Sequence, residues 1–146
     1  MLRMRWLFGA LLVMLALAVP AAAYDNPQIN WVTVDSATID RSGQVTIQGH
    51  IWCSENFGFQ IDNGQVTQTV GRTKAVQGGV GGGGQCNGLT PWQSGARAYN
   101  GKFASGWATV NVHIQGAFVC DPNNNNNCWP TTQGGTQQYL KIANKG

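Results

Sequence analysis

The sequence predicts an all-β protein: an antiparallel two-sheet sandwich of about seven short strands, held by two disulfides and preceded by a signal-peptide helix. Three observations predict it. Apolar and polar residues alternate along most of the chain after residue 23, with no sustained helical spacing. Turn-forming groups such as Asn63-Gly64 and Asn100-Gly101 punctuate that alternation at close intervals. Four cysteines, Cys53, Cys86, Cys120 and Cys128, all lie beyond an N-terminal segment with the grammar of an export signal.

That segment, 1–23, reads MLRMRWLFGALLVMLALAVPAAA. Arg3 and Arg5 supply a positive start, Leu7 to Val19 an apolar run short for a membrane span, and Ala21-Ala22-Ala23 the small residues of a cleavage site. The expected organisation is therefore a signal peptide over 1–23 and one secreted, extracellular domain over 24–146, with no membrane span in the mature chain. Of nine Lys and Arg, the signal removes two, leaving seven against six carboxylates and a formal charge of +1. No basic stripe remains, so nucleic acid is not an expected partner.

The strands follow in order. Trp31 to Asp40 places Val32 and Val34 on one face; after a phase slip, Ala37 and Ile39 resume it. Asp40-Arg41-Ser42-Gly43 turns the chain. Gln44 to Cys53 is the clearest strand, with Val45, Ile47, Ile51 and Cys53 inward and Thr46, Gln48, His50 and Trp52 outward. Phe57, Phe59 and Ile61 alternate next, and Asp62-Asn63-Gly64 predicts a hairpin from which Val66 to Val70 returns. Thr73 to Val76 is one more short strand, and the glycine-rich QGGVGGGGQC, 77–86, reads as a slack connection to Cys86. Trp92 to Tyr99 forms a strand, with Asn100-Gly101 as a second hairpin signal. Phe103 leads into a strand with Ala108, Val110, Val112 and Ile114 inward. Cys120 to Cys128 encloses a loop, and Gln137 to Ile142 closes the domain with Leu140 and Ile142 inward.

Four cysteines allow three pairings. Joining sequence neighbours, Cys53 with Cys86 and Cys120 with Cys128, is the expected one. Zinc would want closely spaced Cys-x₂₋₄-Cys pairs, which are absent.

The Val32-Thr33-Val34-Asp35 opening, the Gly43-x-Val45-x-Ile47-x-Gly49-x-x-x-Cys53 strand, Cys86 before Asn87-Gly88, and the Gly106-x-Ala108-x-Val110-x-Val112 strand together resemble small secreted Ig-like domains of actinobacteria. The resemblance spans Trp31 to Ile142 and implies an Ig-like sandwich. It differs from antibody domains, since no Tyr sits two residues before a late Cys. A second likeness is to the antitumour chromoprotein apoproteins, which are also exported, Ig-like and twice disulfide-bonded. That likeness implies a cleft for an apolar chromophore.

Chemistry-bearing patterns are sparse. Gly79 to Gly84 satisfies G-x-G-x-x-G, but a dinucleotide turn needs a following helix and an acidic residue about 20 positions on. Here Asn87-Gly88 and Pro91 prevent the helix, and no acid occurs between Asp62 and Asp121. His50 and His113 fall on polar strand phases, and no serine sits in a nucleophile elbow. The acids Asp25, Asp35, Asp40, Glu55, Asp62 and Asp121 are scattered singly. Calcium prefers several carboxylates, and the loop at Asp121 has one. No catalytic residue, metal site or cofactor is expected, and the chain is read as a non-enzyme.

The aromatics are the functional signal. Trp31, Trp52, Trp92, Trp107 and Trp129, with Tyr99 and Tyr139, are many for this length. Most are expected to fill the core or cover a sheet edge. Trp52 is out of phase with its core neighbours and Trp129 follows the small disulfide loop, so His50, Trp52 and Trp129 form the candidate binding surface. The expected function is a secreted, non-catalytic binding or structural module, monomeric, contacting an extracellular protein or glycan. The alternatives are a small-molecule carrier and a secreted hydrolase.

Overall fold

The computed structural model describes residues 26–146. The signal segment 1–23 and the mature start at Tyr24 lie outside the described residues. Within them every regular element is a strand. In order these are β1 (Ile29–Val32), β2 (Ser36–Ile39), β3 (Val45–Cys53), β4 (Phe57–Val70), β5 (Lys74–Cys86), β6 (Leu89–Ala98), β7 (Gly106–Asp121) and β8 (Asn124–Asn144).

Eight strands take the place of about seven, and they belong to one hydrogen-bonded sheet. β3 is flanked by β1 and β2 on one side and by β6 on the other. β7 is flanked by β8 and β4, and β4 by β5. Two short ladders join these layers. β2 runs parallel to β8 over Ala37–Ile142 to Ile39–Asn144, and β5 meets β6 over Gly78–Ala98 to Val80–Ala96. Hydrogen bonding therefore runs continuously around the molecule, and among the described residues the β2–β8 contact is the one parallel pairing. The inward phases of both layers meet in one core, with Val45, Ile47, Ile51, Val66, Val110, Ile114 and Ile142 fully buried.

Alternation locates the inward residues well. On β3, Val45, Ile47, Ile51 and Cys53 are buried, and on β7 Ala108, Val110, Val112 and Ile114 are. The phase slip between Val34 and Ala37 is present: Asp35 N donates to Gln48 O, and Ser36 then pairs with Gln48. Asp40 caps its turn, its Oδ1 accepting from Ser42 N, Ser42 Oγ and Gln44 N.

The hairpin expected at Asp62-Asn63-Gly64 is absent. β4 continues straight through to Val70, and the chain turns instead at Gly71-Arg72-Thr73. Asn63 adopts a φ of 54°, and the register shifts there against both neighbours, so Asn-Gly forms a β-bulge inside a long strand. Asn100-Gly101 is likewise no hairpin. β6 and β7 belong to different layers, so the chain crosses between them. Asn100 docks beside β5 instead, accepting from Gln77 N and donating to Ala75 O.

The glycine run is not slack either. It is β5, paired with β4 from Lys74 to Cys86. Glycine suits it because neighbours lie where side chains would stand: a Cβ on Gly83 would be 2.5 Å from Phe59 O, and one on Gly79 would collide with the Tyr99 hydroxyl. Cys120 to Cys128 is a hairpin tip rather than an open loop. β7 reaches Asp121, β8 starts at Asn124, and Asp121 Oδ1 caps the turn by accepting from Asn123 N at 2.8 Å. Both expected disulfides are present, Cys53–Cys86 within the core and Cys120–Cys128 at that exposed tip.

Candidate functional site

Strand alternation pushes every second residue of β3 outward, and cross-strand register decides what each one meets. Trp52 stands opposite Trp31 of β1 and Leu89 of β6. The two indoles are stacked, with ring centroids 6.4 Å apart and planes within 9°. Trp31 is 45% exposed, Trp52 40% and Leu89 52%, so three large apolar side chains sit in one row on the outside. An extra residue at Asn30 makes this possible. Ile29 faces Cys53 in the core while Trp31, two residues on, faces Trp52 outside.

The next row holds His50, opposite Pro91. His50 Nδ1 lies 2.5 Å from Asp35 Oδ2, the carboxylate set at the phase slip between β1 and β2. The Thr33 hydroxyl holds the Asp35 carboxyl below the usual carboxylate range, and His50 adds to this. An ionised carboxylate only accepts, so Nδ1 is the donor in this pair and Nε2 is the remaining ring nitrogen. One row further, Gln48 Nε2 donates to Gln93 Oε1 and Ser36 Oγ donates to Gln48 Oε1. Asp35, Ser36, Gln48, His50, Pro91 and Gln93 line a shallow depression of about 470 Å³ beside the aromatic row.

This surface has an apolar end and a polar, hydrogen-bonded middle, suited to holding a ligand by stacking and orienting it with fixed polar groups. A histidine held by a carboxylate is also half of a nucleophile-activating set, and two hydroxyls of this face make hydrogen bonds of their own. Thr33 Oγ1 accepts from His50 N, and Ser36 Oγ donates to Gln48. Among the described residues no group of three His, Cys, Asp or Glu is arranged to hold a metal ion. No helix among them is long and apolar enough to cross a membrane.

Two of the three candidate binding residues, His50 and Trp52, thus share one face with Trp31 and Leu89. Trp129 does not join them. It lies on β8 opposite Val119, near the disulfide-closed hairpin tip, and is about half exposed there. Of the expectation that most aromatics fill the core or cover an edge, the core half fails. Trp31, Trp52, Trp107, Trp129, Tyr99 and Tyr139 are exposed, and only Trp92 of these aromatics is buried. Trp107 and Tyr139 form a second exposed stacked pair, with centroids 5.1 Å apart. Sequence reasoning missed the partnership of Trp31 with Trp52 and of Asp35 with His50. The signal was the outward phase of all four, but only the register against β3, set by the extra residue at Asn30 and kept up to Asp35, brings them together.

Comparison of the chain with family models, with curated proteins and with solved structures finds no match.

Proposed function

We propose that the protein is a secreted, non-catalytic binding module whose contacts are made by the outer face of β3. The observation that carries this reading is the exposed row Trp31, Trp52 and Leu89, set beside the Asp35–His50 pair. Leaving three large apolar side chains in water costs hydrophobic free energy that burial against a partner recovers. Two disulfides support an oxidising, extracellular setting. The partner is an extracellular protein or glycan with a flat or ring-shaped apolar surface.

The test is retention of the protein on immobilised cell-wall polysaccharide and on immobilised secreted proteins of the producing cell. Trp52→Ala and Trp31→Ala should each weaken retention about tenfold, the equivalent of about 1.4 kcal/mol. Trp129→Ala, remote from that face, should leave it within a factor of about two, by the additivity of distant sites. Equal retention of the wild type and the Trp31/Trp52 double variant would show that the face is not the contact.

The carrier reading has one observation in its favour. A hollow of about 530 Å³ opens between Pro27, Phe57, Ala117, Phe118, Val119 and Thr131, lined mainly by apolar groups. Native mass spectrometry of protein taken from its own culture medium tests it. A carrier should show an added small-molecule mass that Phe118→Ser removes.

A further inference from the structure

The second broad face, formed outside β8, β7, β4 and β5, differs chemically from the first. Its side chains fall into rows across four strands. One row runs Tyr139, Thr109, Thr67 and Gln77, and the next runs Gln137, Asn111, Gln65 and Gly79. Trp107 stands one row above, stacked on Tyr139. Trp107 is 57% exposed and Tyr139 64%, so much of each ring stays open to solvent. At the far side Tyr99, 73% exposed, places its hydroxyl over Gly79, where no side chain could stand.

Beside Tyr99, along the row next to that of Tyr139, lies a cleft of about 570 Å³, walled by Asn63, Gln65, Gly79, Gly81, Tyr99 and Asn111. The β-bulge gives the cleft its wall: Asn63, at a φ of 54°, donates its amide to Asp62 Oδ2, which Gln115 Nε2 also reaches at 3.1 Å. From β8 to β5 is three strand spacings, about 14 Å.

We propose that this face binds an uncharged, extended polysaccharide chain lying across the strands, with Trp107 and Tyr139 stacking on sugar rings at one end and Tyr99 bordering the cleft at the other. The inference goes beyond the reading above, since it concerns the opposite face. Its chemistry favours a glycan over a protein. Protein interfaces have an apolar centre and a polar rim. Here the centre is amides and hydroxyls, and the large apolar groups stand at the two ends. Amides offer both donors and acceptors, as a sugar's hydroxyls require. The two rows carry no formal charge, and the cations at their borders stand singly, Lys141 opposite Trp107 and Arg97 opposite Gly79 with its guanidinium donating to Gln44 Oε1, so no basic cluster is there to hold an anionic polymer. An extended chain fits because the site is a broad face crossed by an open cleft rather than an enclosed cavity.

Calorimetric titration of the purified protein with cellohexaose and xylohexaose tests this, with heparin and polygalacturonate as charged comparators. A neutral hexasaccharide should bind, more tightly than its disaccharide. Trp107→Ala and Tyr139→Ala should each weaken it about tenfold. Tyr139→Phe, which keeps the ring, should bind like the wild type, and Trp52→Ala should change nothing. Thermal unfolding of each variant reports that the fold is intact. Failure of both neutral chains to bind at millimolar concentration would overturn the proposal, as would equal affinity for the charged polymers or full affinity in the Trp107/Tyr139 double variant. Capture of a secreted protein that this double variant loses, without affinity for either neutral chain, would assign the face to a protein and also overturn it.

Discussion

At Gly49 the core admits nothing larger than hydrogen. A Cβ there would collide with Thr33 O and lie 2.8 Å from the Trp92 ring, so the indole packs directly on the β3 backbone. Gly49→Ala should therefore cost about 1–3 kcal/mol in denaturant unfolding, the usual range for overpacking. Asp35 and Asp40 make a second prediction at this scale. The Thr33 hydroxyl, then His50, hold Asp35 below the usual carboxylate range; the Ser42 hydroxyl, then Gln44 N, hold Asp40 there. A folded pKa below the unfolded one contributes stability that is present above the unfolded value, about 3.9, and is lost as pH falls through the folded value. Stability measured from pH 6 to pH 2 should therefore fall below about pH 4, and Asp35→Asn with Asp40→Asn should flatten that fall. Both groups are exposed to solvent, so the effect is small beside core packing.

At the scale of elements, β5 is the most unusual strand. Its glycines carry so little side-chain surface that it is held by backbone hydrogen bonds to β4, by Val76 and Val80 buried in the core, and by the Cys86 disulfide at its end. Its glycines are not equivalent. A Cβ at Gly81 would meet nothing within 4 Å, whereas one at Gly83 would lie 2.5 Å from Phe59 O. Denaturant midpoints should show Gly81→Ala within about 0.5 kcal/mol of the wild type and Gly83→Ala destabilised by about 1–3 kcal/mol. The two disulfides close spans of 33 and 8 residues. Chain entropy then assigns about 3.7 kcal/mol to the first and about 2.5 kcal/mol to the second. Cys86→Ser should lower stability more than Cys128→Ser, the more so because Cys86 is buried.

These elements also show what the sequence could disclose. The inward residues of β3 and β7, the Asp40 turn and both disulfides were legible, because burial and loop closure act at fixed, local spacing. The course of the chain at Asn63-Gly64 was not. An Asn-Gly pair fits a hairpin turn and a bulge equally well, and the outcome is decided by β5 and β7 both continuing past it. The glycine run looked slack because β-propensity counts side chains, while here the neighbours occupy the space side chains would take. The candidate site was half legible. Alternation sends His50 and Trp52 outward, but their partners Asp35 and Trp31 arrive only through the register that the extra residue at Asn30 sets against β3.

For the whole molecule, the continuous ladder depends on two three-pair seams, β2 with β8 and β5 with β6. Ile142 sits fully buried in the first, and Lys145 N donates to Ile39 O just beyond it. Ile142→Ala should cost about 2–5 kcal/mol, read as a drop in thermal and denaturant midpoints. The closed core leaves function to the outer faces, where the aromatics stand. Their indole N–H groups are separate nuclear magnetic resonance reporters, and Trp129, on β8 near the hairpin tip, is the reference away from the β3 face. The most direct test is a ¹⁵N spectrum of the protein titrated with soluble cell-wall fragments of the producing cell. The account predicts that the Trp31 and Trp52 indole signals shift together and saturably while Trp129 stays in place. Unmoved Trp31 and Trp52 signals at saturating ligand, or a shift confined to Trp129, would contradict it.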